Sequence, residues 1–372
     1  MKILILGGGI GGLTTALALS RAGHDVRVFE SANAWQPLGA GIVLAANAMR
    51  VYESLGLTSA LLRQGNALAR FTICDQSGRA LTTMDSRTVQ ERFGLMHQVA
   101  IHRAALHQIL LQELPENRVF LSRKGISCKQ TADSVEVTFS DGTKETAELL
   151  VVADGIHSAI RRQLVPGSDP RYAGYTCWRA VMEGSVYDSS HATETWGPAG
   201  RIGIVPLTGR RLYVFLCVNA SRERPPLLED VAAAFASYHS PVSDVIRQMA
   251  RSSFIQGPIQ DIRPLSRWVF GRVVLLGDAA HATTPNLGQG ACQAIEDAYV
   301  LAQLLGQPEG LARYEKIRQK RTAWITGQSR QIGRIAQLEN PVLIGLRNAF
   351  LRRIPAFVND RQMERLLGPL SL

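Results

Sequence analysis

Two short apolar runs near the start of the chain are separated by a cluster of glycines. The first run, Ile3 to Leu6, ends directly in these glycines, and the second covers residues 25–29. Short apolar runs bounded by turn residues predict buried strands. The pattern therefore predicts a strand that turns tightly into a helix, followed by a second strand that ends at Glu30.

The middle of the chain alternates between strand patterns and turn residues. Apolar residues at 135, 137 and 139 alternate with polar ones before an Asp-Gly turn, which predicts a half-buried strand. We predict a three-stranded meander over 118–129, 134–140 and 145–152, then a helix over 158–164 with Arg161 and Arg162 exposed. Residues 171–262 have mostly strand patterns, including 201–207 and 211–218, with a helix near 228–238. We expect this region to form the wall of a substrate pocket.

The last part of the chain combines a helical apolar pattern with a strong positive charge. Asn340 and Pro341 are suited to start a helix. Apolar residues recur at helical spacing at 342, 343, 346 and 350, while arginines at 347, 352 and 353 take other faces. Twelve Lys and Arg stand against four Asp and Glu from Leu311 onward, which accounts for eight of the ten net positive charges. We expect a closing helix packed on the body with a solvated basic face, rather than a membrane-surface or nucleic-acid role.

Composition is typical of a folded enzyme with about two domains. Hydrophobic residues make up 46% of the 372 residues, and the five cysteines show no CxxC spacing. Neither a metal site nor a disulfide framework is therefore indicated, and a reducing compartment fits best. Because no apolar run has the length of a membrane span and none is typical of a signal peptide, we expect a cytoplasmic protein.

The glycine cluster carries a phosphate-binding pattern. Gly7, Gly9 and Gly12 stand in GxGxxG register between the first predicted strand and helix. Such glycines let the backbone approach a pyrophosphate, whose charge is met by free N–H groups and the helix dipole. A carboxylate about 20 residues further on, here Glu30, is expected to hold ribose hydroxyls. The candidate contacts of this loop include Ile10, Gly11 and Ser31.

A second segment, GDAAHATTPNLGQGACQAIEDA, brings a carboxylate, a glycine-rich turn and a helix start together. The carboxylate is Asp278, and the apolar spacing that begins at Ala291 predicts the helix. Glycines at 288 and 290 remove side chains that would block the close approach of a flat ring. The segment is interpreted as a second binding segment for a large cofactor.

Three separated motifs resemble those of the single-component flavoprotein aromatic hydroxylases of the para-hydroxybenzoate hydroxylase type. They are GGGIGG with Glu30, DGIHSAIR from Asp154, and GDAAHATTPNLGQG from Gly277. Two weaker signatures, 39–57 and 101–110, follow the same order. The resemblance covers nearly the whole chain, and it implies an FAD-dependent enzyme.

The resemblance assigns roles in FAD binding to particular residues. Asp278 would hydrogen-bond the ribityl chain, Arg103 would reach the phosphates, and Asp154 is linked to FAD and nicotinamide use. The turn that begins at Pro285, a candidate catalytic residue, would lie beside the isoalloxazine ring. Further candidate FAD contacts in this turn and helix are Gly288, Gln289, Gly290 and Ala291. His281 is expected to be structural, and His102 and His107 are expected to be surface residues rather than ligands.

The fold class implied is α/β: a Rossmann-like FAD-binding domain with an inserted, mostly antiparallel β-sheet substrate domain and C-terminal helices. The expected boundaries are 1–66, 99–171 and 263–339 for the FAD-binding domain, 67–98 and 172–262 for the substrate domain, and 340–372 for the helical segment. A monomer or homodimer is expected.

The chemistry implied is that of a monooxygenase for small aromatic or heteroaromatic substrates. NADPH or NADH, bound transiently, reduces FAD, and O2 then forms a C4a-hydroperoxyflavin that transfers one oxygen atom. Trp178, Arg201 and Tyr213 are the candidate substrate-binding residues, of which Arg201 and Tyr213 are also candidate catalytic residues. Because the enzymes of this type that hydroxylate urate carry Asp where this chain has Asn286, urate is disfavoured.

Alternatives differ in how many motifs they explain. A flavin-dependent halogenase is disfavoured because the WxWxIP motif is absent. An alkene epoxidase would use the same flavin chemistry and stays open. A NAD-binding dehydrogenase or regulatory module would need only the N-terminal fingerprint and leaves the Asp278 segment unexplained.

Overall fold

A computed structural model describes residues 1–35, 40–93, 98–184 and 188–368. Gly39, which opens one of the weaker signatures, lies outside these ranges, as do the last four residues of the C-terminal segment. The strands are β1 (Lys2–Leu6), β2 (Asp25–Phe29), β3 (Gly41–Leu44), β4 (Asn66–Leu68), β5 (Arg70–Asp75), β6 (Ala80–Asp85), β7 (Gln98–His102), β8 (Val119–Phe120), β9 (Gly125–Gln130), β10 (Val135–Phe139), β11 (Lys144–Ala147), β12 (Leu149–Val152), β13 (Arg171–Glu183), β14 (His191–Gly197), β15 (Gly200–Leu207), β16 (Arg211–Asn219), β17 (Phe254–Asp261), β18 (Val269–Phe270) and β19 (Val273–Leu275).

The helices of the described residues alternate with these strands, and short 3-10 turns cover Glu116–Arg118 and Pro285–Leu287. The helices are α1 (Ile10–Arg21), α2 (Ala46–Ser54), α3 (Thr58–Gln64), α4 (Ser86–Phe93), α5 (Arg103–Gln112), α6 (Ala159–Leu164), α7 (Leu228–Ala234), α8 (Val242–Ala250), α9 (Asp278–His281), α10 (Gly290–Leu304), α11 (Gly310–Ala336), α12 (Pro341–Leu351) and α13 (Ala356–Leu367).

A six-stranded sheet in the order β18-β19-β12-β1-β2-β8 forms the centre of the nucleotide-binding part. Its strands from β19 to β8 are parallel, and β1 is fully buried from Ile3 to Ile5. Strands buried on both faces are typical of parallel sheets covered by helices. Helix α1 packs against α10 on this sheet. The predicted α/β, Rossmann-like fold class is confirmed.

The predicted meander exists as β9-β10-β11, but two of its strands are shorter than predicted. The first predicted strand divides, so that β8 joins the parallel sheet and only β9 pairs with β10. The third divides after Ala147, and β12 pairs with β1 instead. In both cases one stretch of strand pattern contains two strands that belong to different sheets. Only a short linker separates these strands, so the pattern does not show where one ends and the next begins.

A seven-stranded sheet in the order β17-β13-β16-β15-β14-β5-β6 forms the second large layer. Neighbouring strands are antiparallel except β14 and β5. Helices α7 and α8 cover one face through a core that includes Trp178 and Phe235. The other face contacts the small sheet β3-β7-β4, where Tyr213 and Val205 pack with Leu68. This second face lies toward the nucleotide-binding part of the molecule.

Helix α12 begins as predicted but faces the opposite way. Asn340 Oδ1 accepts hydrogen bonds from the N–H groups of Val342 (2.9 Å) and Leu343 (3.2 Å). Its apolar side chains face solvent, whereas Arg347 is buried. The predicted packing of this helix was therefore wrong. Within the described residues, no helix has the length and hydropathy needed to cross a bilayer.

Candidate active site

The GxGxxG loop folds as a tight turn that leaves one position open. Gly7 has φ +101°, and a Cβ on Gly12 would lie 2.0 Å from the Gly7 carbonyl oxygen, so neither position accepts a side chain. Within the described part of the chain, a Cβ on Gly9 would meet nothing within 4 Å. Gly9 is also the N-cap of α1 and provides no side-chain hydrogen bond. Open space in front of uncapped helix N–H groups suits an anionic ligand.

Glu30 closes one side of this loop. Its Oε2 accepts a hydrogen bond from Gly8 N at 2.6 Å, and its Oε1 accepts from Ala32 N at 2.8 Å and Ser31 Oγ at 3.0 Å. The carboxylate is therefore fixed at the carboxyl end of β2, where a ribose hydroxyl can reach it.

Two aromatic residues that the sequence did not assign to the site cover Gly8. His107 Nε2 donates to the Gly8 carbonyl oxygen at 2.7 Å, and its ring packs on Trp35 with centroids 4.5 Å apart. A Cβ on Gly8 would lie 2.7 Å from the Trp35 ring. Burial lowers the pKa of His107. The expectation of a surface residue was wrong for His107, and His102 is also half-buried and caps α5 through Nδ1 (3.2 Å to Ala104 N).

The second cofactor-binding segment lies directly against the first, the GxGxxG loop. A Cβ on Gly11 would lie 2.9 Å from Ala294 Cβ, and a Cβ on Gly277 would lie 3.1 Å from the same atom. Ala294, on α10, thus separates the phosphate loop from the turn that carries Asp278. The Asp278 side chain is exposed and available to a ligand.

A buried ionic network supports this turn. Asp297 accepts hydrogen bonds from Gly277 N (2.9 Å), His281 Nε2 (2.6 Å) and Arg318 Nε (2.6 Å). Burial alone would raise the pKa of Asp297, but His281 and Arg318 lower it to about 2. His281 is therefore a structural residue, as expected from the sequence. Asp297 and Arg318 were not predicted, because they lie on α10 and α11 without a local pattern that links them.

The glycine-rich turn leads into α10 without a side-chain cap. Gly288 has φ +62° and Gly290 opens the helix, with Ala291 in its first turn. Gln289 is buried and its Oε1 accepts from Asn47 Nδ2 at 3.1 Å, so only its backbone can face a ligand. The free N–H groups at the start of α10 can stabilise a developing negative charge.

The DG motif supplies two buried polar atoms that have no hydrogen-bond partner among the described residues. These atoms are Asp154 Oδ1 and Arg161 Nη1. Burial raises the pKa of Asp154 to about 6, against the effects of Ser158 and Arg161. Arg161 was predicted to be exposed, yet it is fully buried and donates to the Ile156 carbonyl oxygen at 2.7 Å, because Ser158 caps α6 and turns the side chain inward.

These features fit FAD. Unpartnered buried donors and acceptors require a ligand or water, and the open position at Gly9 has space for a pyrophosphate. Arg103 is exposed, with no carboxylate partner among the described residues, and its backbone N–H donates to the Ala40 carbonyl oxygen at 2.9 Å. A free guanidinium is suited to phosphate.

The candidate substrate side is built on the face of the seven-stranded sheet opposite α7 and α8. Arg201 forms a buried ion pair with Glu194, with Nη1 2.9 Å from Oε1. It also donates to Asn286 Oδ1 and lies over the Tyr175 ring at 5.4 Å. Asn286 Nδ2 donates to the Ser329 carbonyl oxygen at 2.7 Å. The turn after Pro285 is thus joined to the sheet through Asn286.

Tyr213 and Trp178 point to opposite faces. Tyr213 lies four residues from Cys217, the cross-strand partner of Arg201, so it shares the face of Arg201. Its ring packs on Gly41, where a Cβ would lie 2.3 Å away. Trp178 is only 1% exposed and packs under α7 and α8. It therefore does not line this face, because strand alternation presents Arg179 there instead.

Three further residues on this face were missed by the sequence reasoning. Cys177 and Cys217 are direct cross-strand partners, both buried with free thiols, and they pack with Tyr175. Arg179 lies between Cys177 and Tyr213 and has no carboxylate partner among the described residues. A cavity of about 300 Å³ opens beside Tyr175 and Asn286, toward the end of α11.

Comparison with known proteins identifies the family of this chain. A family model described as an FAD binding domain matches residues 1–328. The aurachin C monooxygenase/isomerase of Stigmatella aurantiaca is 36% identical over 375 residues, which cover 99% of this chain and 98% of the relative. The 2-heptyl-3-hydroxy-4(1H)-quinolone synthase of Pseudomonas aeruginosa is 36% identical over 380 residues, which cover 98% and 97%.

A solved structure extends the match to the whole fold. The structure of Klebsiella pneumoniae HpxO complexed with FAD and uric acid matches with a TM-score of 0.89 and 30% sequence identity, covering 100% of this chain and 98% of that chain. The chain therefore belongs to the FAD binding domain family of flavoprotein monooxygenases, as its sequence motifs predict.

Proposed function

We propose that this enzyme uses NAD(P)H and O2 to place one oxygen atom on C3 of a 2-alkyl-4(1H)-quinolone or a closely related bicyclic heteroaromatic. The Pseudomonas aeruginosa relative is named as a synthase of 2-heptyl-3-hydroxy-4(1H)-quinolone. Such a ring is uncharged and carries one N–H and one carbonyl group. It needs a pocket in which one charged donor meets the carbonyl oxygen and the other charges are compensated.

The observation that carries the proposal is the compensated charge of Arg201. Its ion pair with Glu194 is buried on both sides, and Trp196 Nε1 also donates to Glu194 at 2.9 Å. A guanidinium neutralised in this way gives little net attraction to a carboxylate substrate. The adjoining wall includes Tyr175 and Cys217. Burial raises the pKa of Tyr175, and the hydrogen bond with Cys177 raises that of Cys217, so both stay uncharged. Both features favour a neutral ring.

Arg179 provides a donor for the carbonyl oxygen. It lies on the same face as Tyr213, and Tyr213 stays protonated because burial raises the pKa of its phenol. A guanidinium next to the C4 oxygen stabilises the oxyanion form of a 4-quinolone, in which C3 is electron-rich. Arg179 and Tyr213 together can therefore orient the ring and increase its reactivity at C3.

Bound FAD supplies the electron transfer from NAD(P)H and the activation of O2. The Gly9 loop, Glu30 and Asp278 would hold it, and the free N–H groups at the start of α10 would stabilise negative charge on it. Asn286 is an amide that donates two hydrogen bonds, so it cannot remove a proton from the substrate. A substrate that needs no carboxylate base is consistent with this position.

The decisive experiment is product analysis with purified, FAD-loaded protein. Incubation with 2-heptyl-4(1H)-quinolone, NAD(P)H and 18O2 should give a product heavier by one 18O atom, hydroxylated at C3. Uric acid and salicylate serve as comparison substrates and should give much less product per NAD(P)H consumed. Arg179→Met should lower kcat/KM for the quinolone at least tenfold, because one charged hydrogen bond is worth about 1.5–3 kcal/mol.

Three outcomes would contradict the proposal. Efficient hydroxylation of uric acid or salicylate, with no quinolone product, would show that the site accepts an anionic ring. An epoxide as the labelled product would favour the epoxidase alternative. Full activity of Arg179→Met would remove the assigned role of this arginine.

A further inference from the structure

Helix α12 exposes its large apolar side chains. Val342 is 70% exposed, Leu346 64%, Phe350 68% and Leu343 47%. At 100° per residue these four positions fall within an arc of about 100°, so they form one apolar stripe. Burial of large apolar side chains is stabilising. The chain alone does not obtain this stabilisation.

The orientation of α12 is fixed by its only charged residue. Arg347 is 6% exposed and donates to the carbonyl oxygens of Ile335 (3.2 Å) and Ala336 (3.4 Å). Its guanidinium also lies 5.4 Å from the centre of the Trp196 ring. Because these contacts and the half-buried Ile344 and Leu351 hold the other side of α12 against the body, the apolar stripe faces outward.

The surroundings of the stripe are basic. Arg353 follows the helix and Arg334 lies in the last turns of α11, and both are exposed. Among the charged residues that flank α12 in sequence, Arg334, Arg352 and Arg353 stand against Glu339, and Arg352 is paired with Asp75. A second copy of this chain would bring like charge against this region. An anionic lipid surface offers both the apolar layer and the opposite charge.

We propose that α12 docks this enzyme on the surface of an anionic lipid bilayer, with Val342, Leu346 and Phe350 in the interface. The helix has only 11 residues, which is too short to span the bilayer and suits a position in its plane. The inference goes beyond the oxygenation reaction and does not depend on which substrate is used.

The test is co-sedimentation of the FAD-loaded, full-length protein with lipid vesicles. Vesicles of phosphatidylcholine mixed with phosphatidylglycerol are compared with vesicles of phosphatidylcholine alone. The triple variant Val342→Ser, Leu346→Ser, Phe350→Ser removes the stripe. Leu227→Ser is the matched control, because Leu227 is 65% exposed on a different part of the surface. The flavin absorbance spectrum of each variant verifies that it is folded.

The wild type and Leu227→Ser should bind the phosphatidylglycerol vesicles, and the triple variant should bind at least tenfold more weakly. High salt should weaken the wild-type binding. Three results would overturn the proposal: no binding by the wild type, equal binding to pure phosphatidylcholine, or a wild-type dimer that the triple variant converts to monomer without any vesicle binding. Quinolone turnover is measured separately without vesicles, so its absence would contradict the proposed substrate and leave the docking result intact.

Discussion

Arg201 and Glu194 form an ion pair in which both side chains are almost fully buried, with Nη1 2.9 Å from Oε1. From the sequence, Arg201 is a candidate substrate-binding residue. Its partner instead lies within the chain, on the neighbouring strand β14. The pair therefore contributes to the stability of the pocket and reduces its net charge.

Breaking this pair from one side should be costly. Arg201→Met leaves the Glu194 carboxylate buried without its cation, so the free energy of unfolding should fall by about 3–5 kcal/mol. The double variant Arg201→Met, Glu194→Gln should lose clearly less than the sum of the two single variants. Denaturant unfolding of the four proteins measures this coupling. Strictly additive losses would show that the two side chains do not stabilise each other.

The hydrogen bonds around Asn286 require an amide nitrogen that donates. Its Nδ2 donates to the Ser329 carbonyl oxygen at 2.7 Å and to Thr284 Oγ1 at 2.9 Å. Asn286→Asp would place a carboxylate oxygen against the Ser329 carbonyl, so we expect a loss of about 1–3 kcal/mol in stability. Hydroxylation of uric acid should not appear.

Thermal unfolding and product analysis measure both effects of Asn286→Asp. Asn117→Asp is the matched control, since it makes the same change of charge at an exposed position. A stable Asn286→Asp variant that gains uric acid hydroxylation would show that this one residue sets the substrate class.

Two glycines of the phosphate loop should respond differently to the same substitution. A Cβ at Gly12 would lie 2.0 Å from the Gly7 carbonyl oxygen, whereas a Cβ at Gly9 would meet no atom of the described residues within 4 Å. Gly12→Ala should therefore prevent folding of the loop. Gly9→Ala should leave the apoprotein folded but weaken FAD binding at least tenfold, because the methyl group enters the space of the pyrophosphate.

Quenching of FAD fluorescence gives the affinity, and circular dichroism gives the folded state of each glycine variant. Gly327→Ala, at an open and exposed position in α11, is the control and should bind FAD normally. Normal FAD affinity in Gly9→Ala would place the pyrophosphate elsewhere.

The tight turns that require glycine could be predicted from the sequence. Glycine spacing specified two turns, and both turns contact Ala294, as a shared cofactor requires. It was harder to predict which face of a strand each side chain occupies. Trp178 and Arg179 are neighbours on β13, and because both faces of this strand are covered, the apolar pattern does not show which face lines the pocket.

Long-range polar contacts were not predictable. The helical spacing in α12 predicted the helix, but the burial of Arg347 against Ala336 and Trp196 decided its orientation. Asp297 and Arg318 lie on different helices, and only their packing makes them an ion pair. The number of such pairings that a sequence allows is large, and no short motif selects one of them.

Asp297 should determine both FAD binding and acid stability. Its pKa of about 2 lies below the ordinary value of 3.8 because of His281 and Arg318, despite the opposing effect of burial. A depressed pKa contributes stability above pH 3.8, and this contribution of roughly 2 kcal/mol is lost as the pH falls from 3.8 toward 2. In Asp297→Asn, one amide N–H would face Arg318 or Gly277 N, so the variant should be less stable at pH 7. The difference in the free energy of unfolding between this variant and the wild type should shrink below pH 4.

Asp278→Asn provides the comparison that separates the two roles. Asp278 is exposed, so its substitution should weaken FAD binding with little change in the stability of the apoprotein. Asp297→Asn should reduce both, because Asp297 holds the backbone N–H of Gly277 at 2.9 Å and thereby positions the turn that carries Asp278. Urea unfolding between pH 3 and 7 and FAD titration measure the two quantities. If Asp297→Asn lost stability but kept wild-type FAD affinity, the network would stabilise the helices without positioning the cofactor turn.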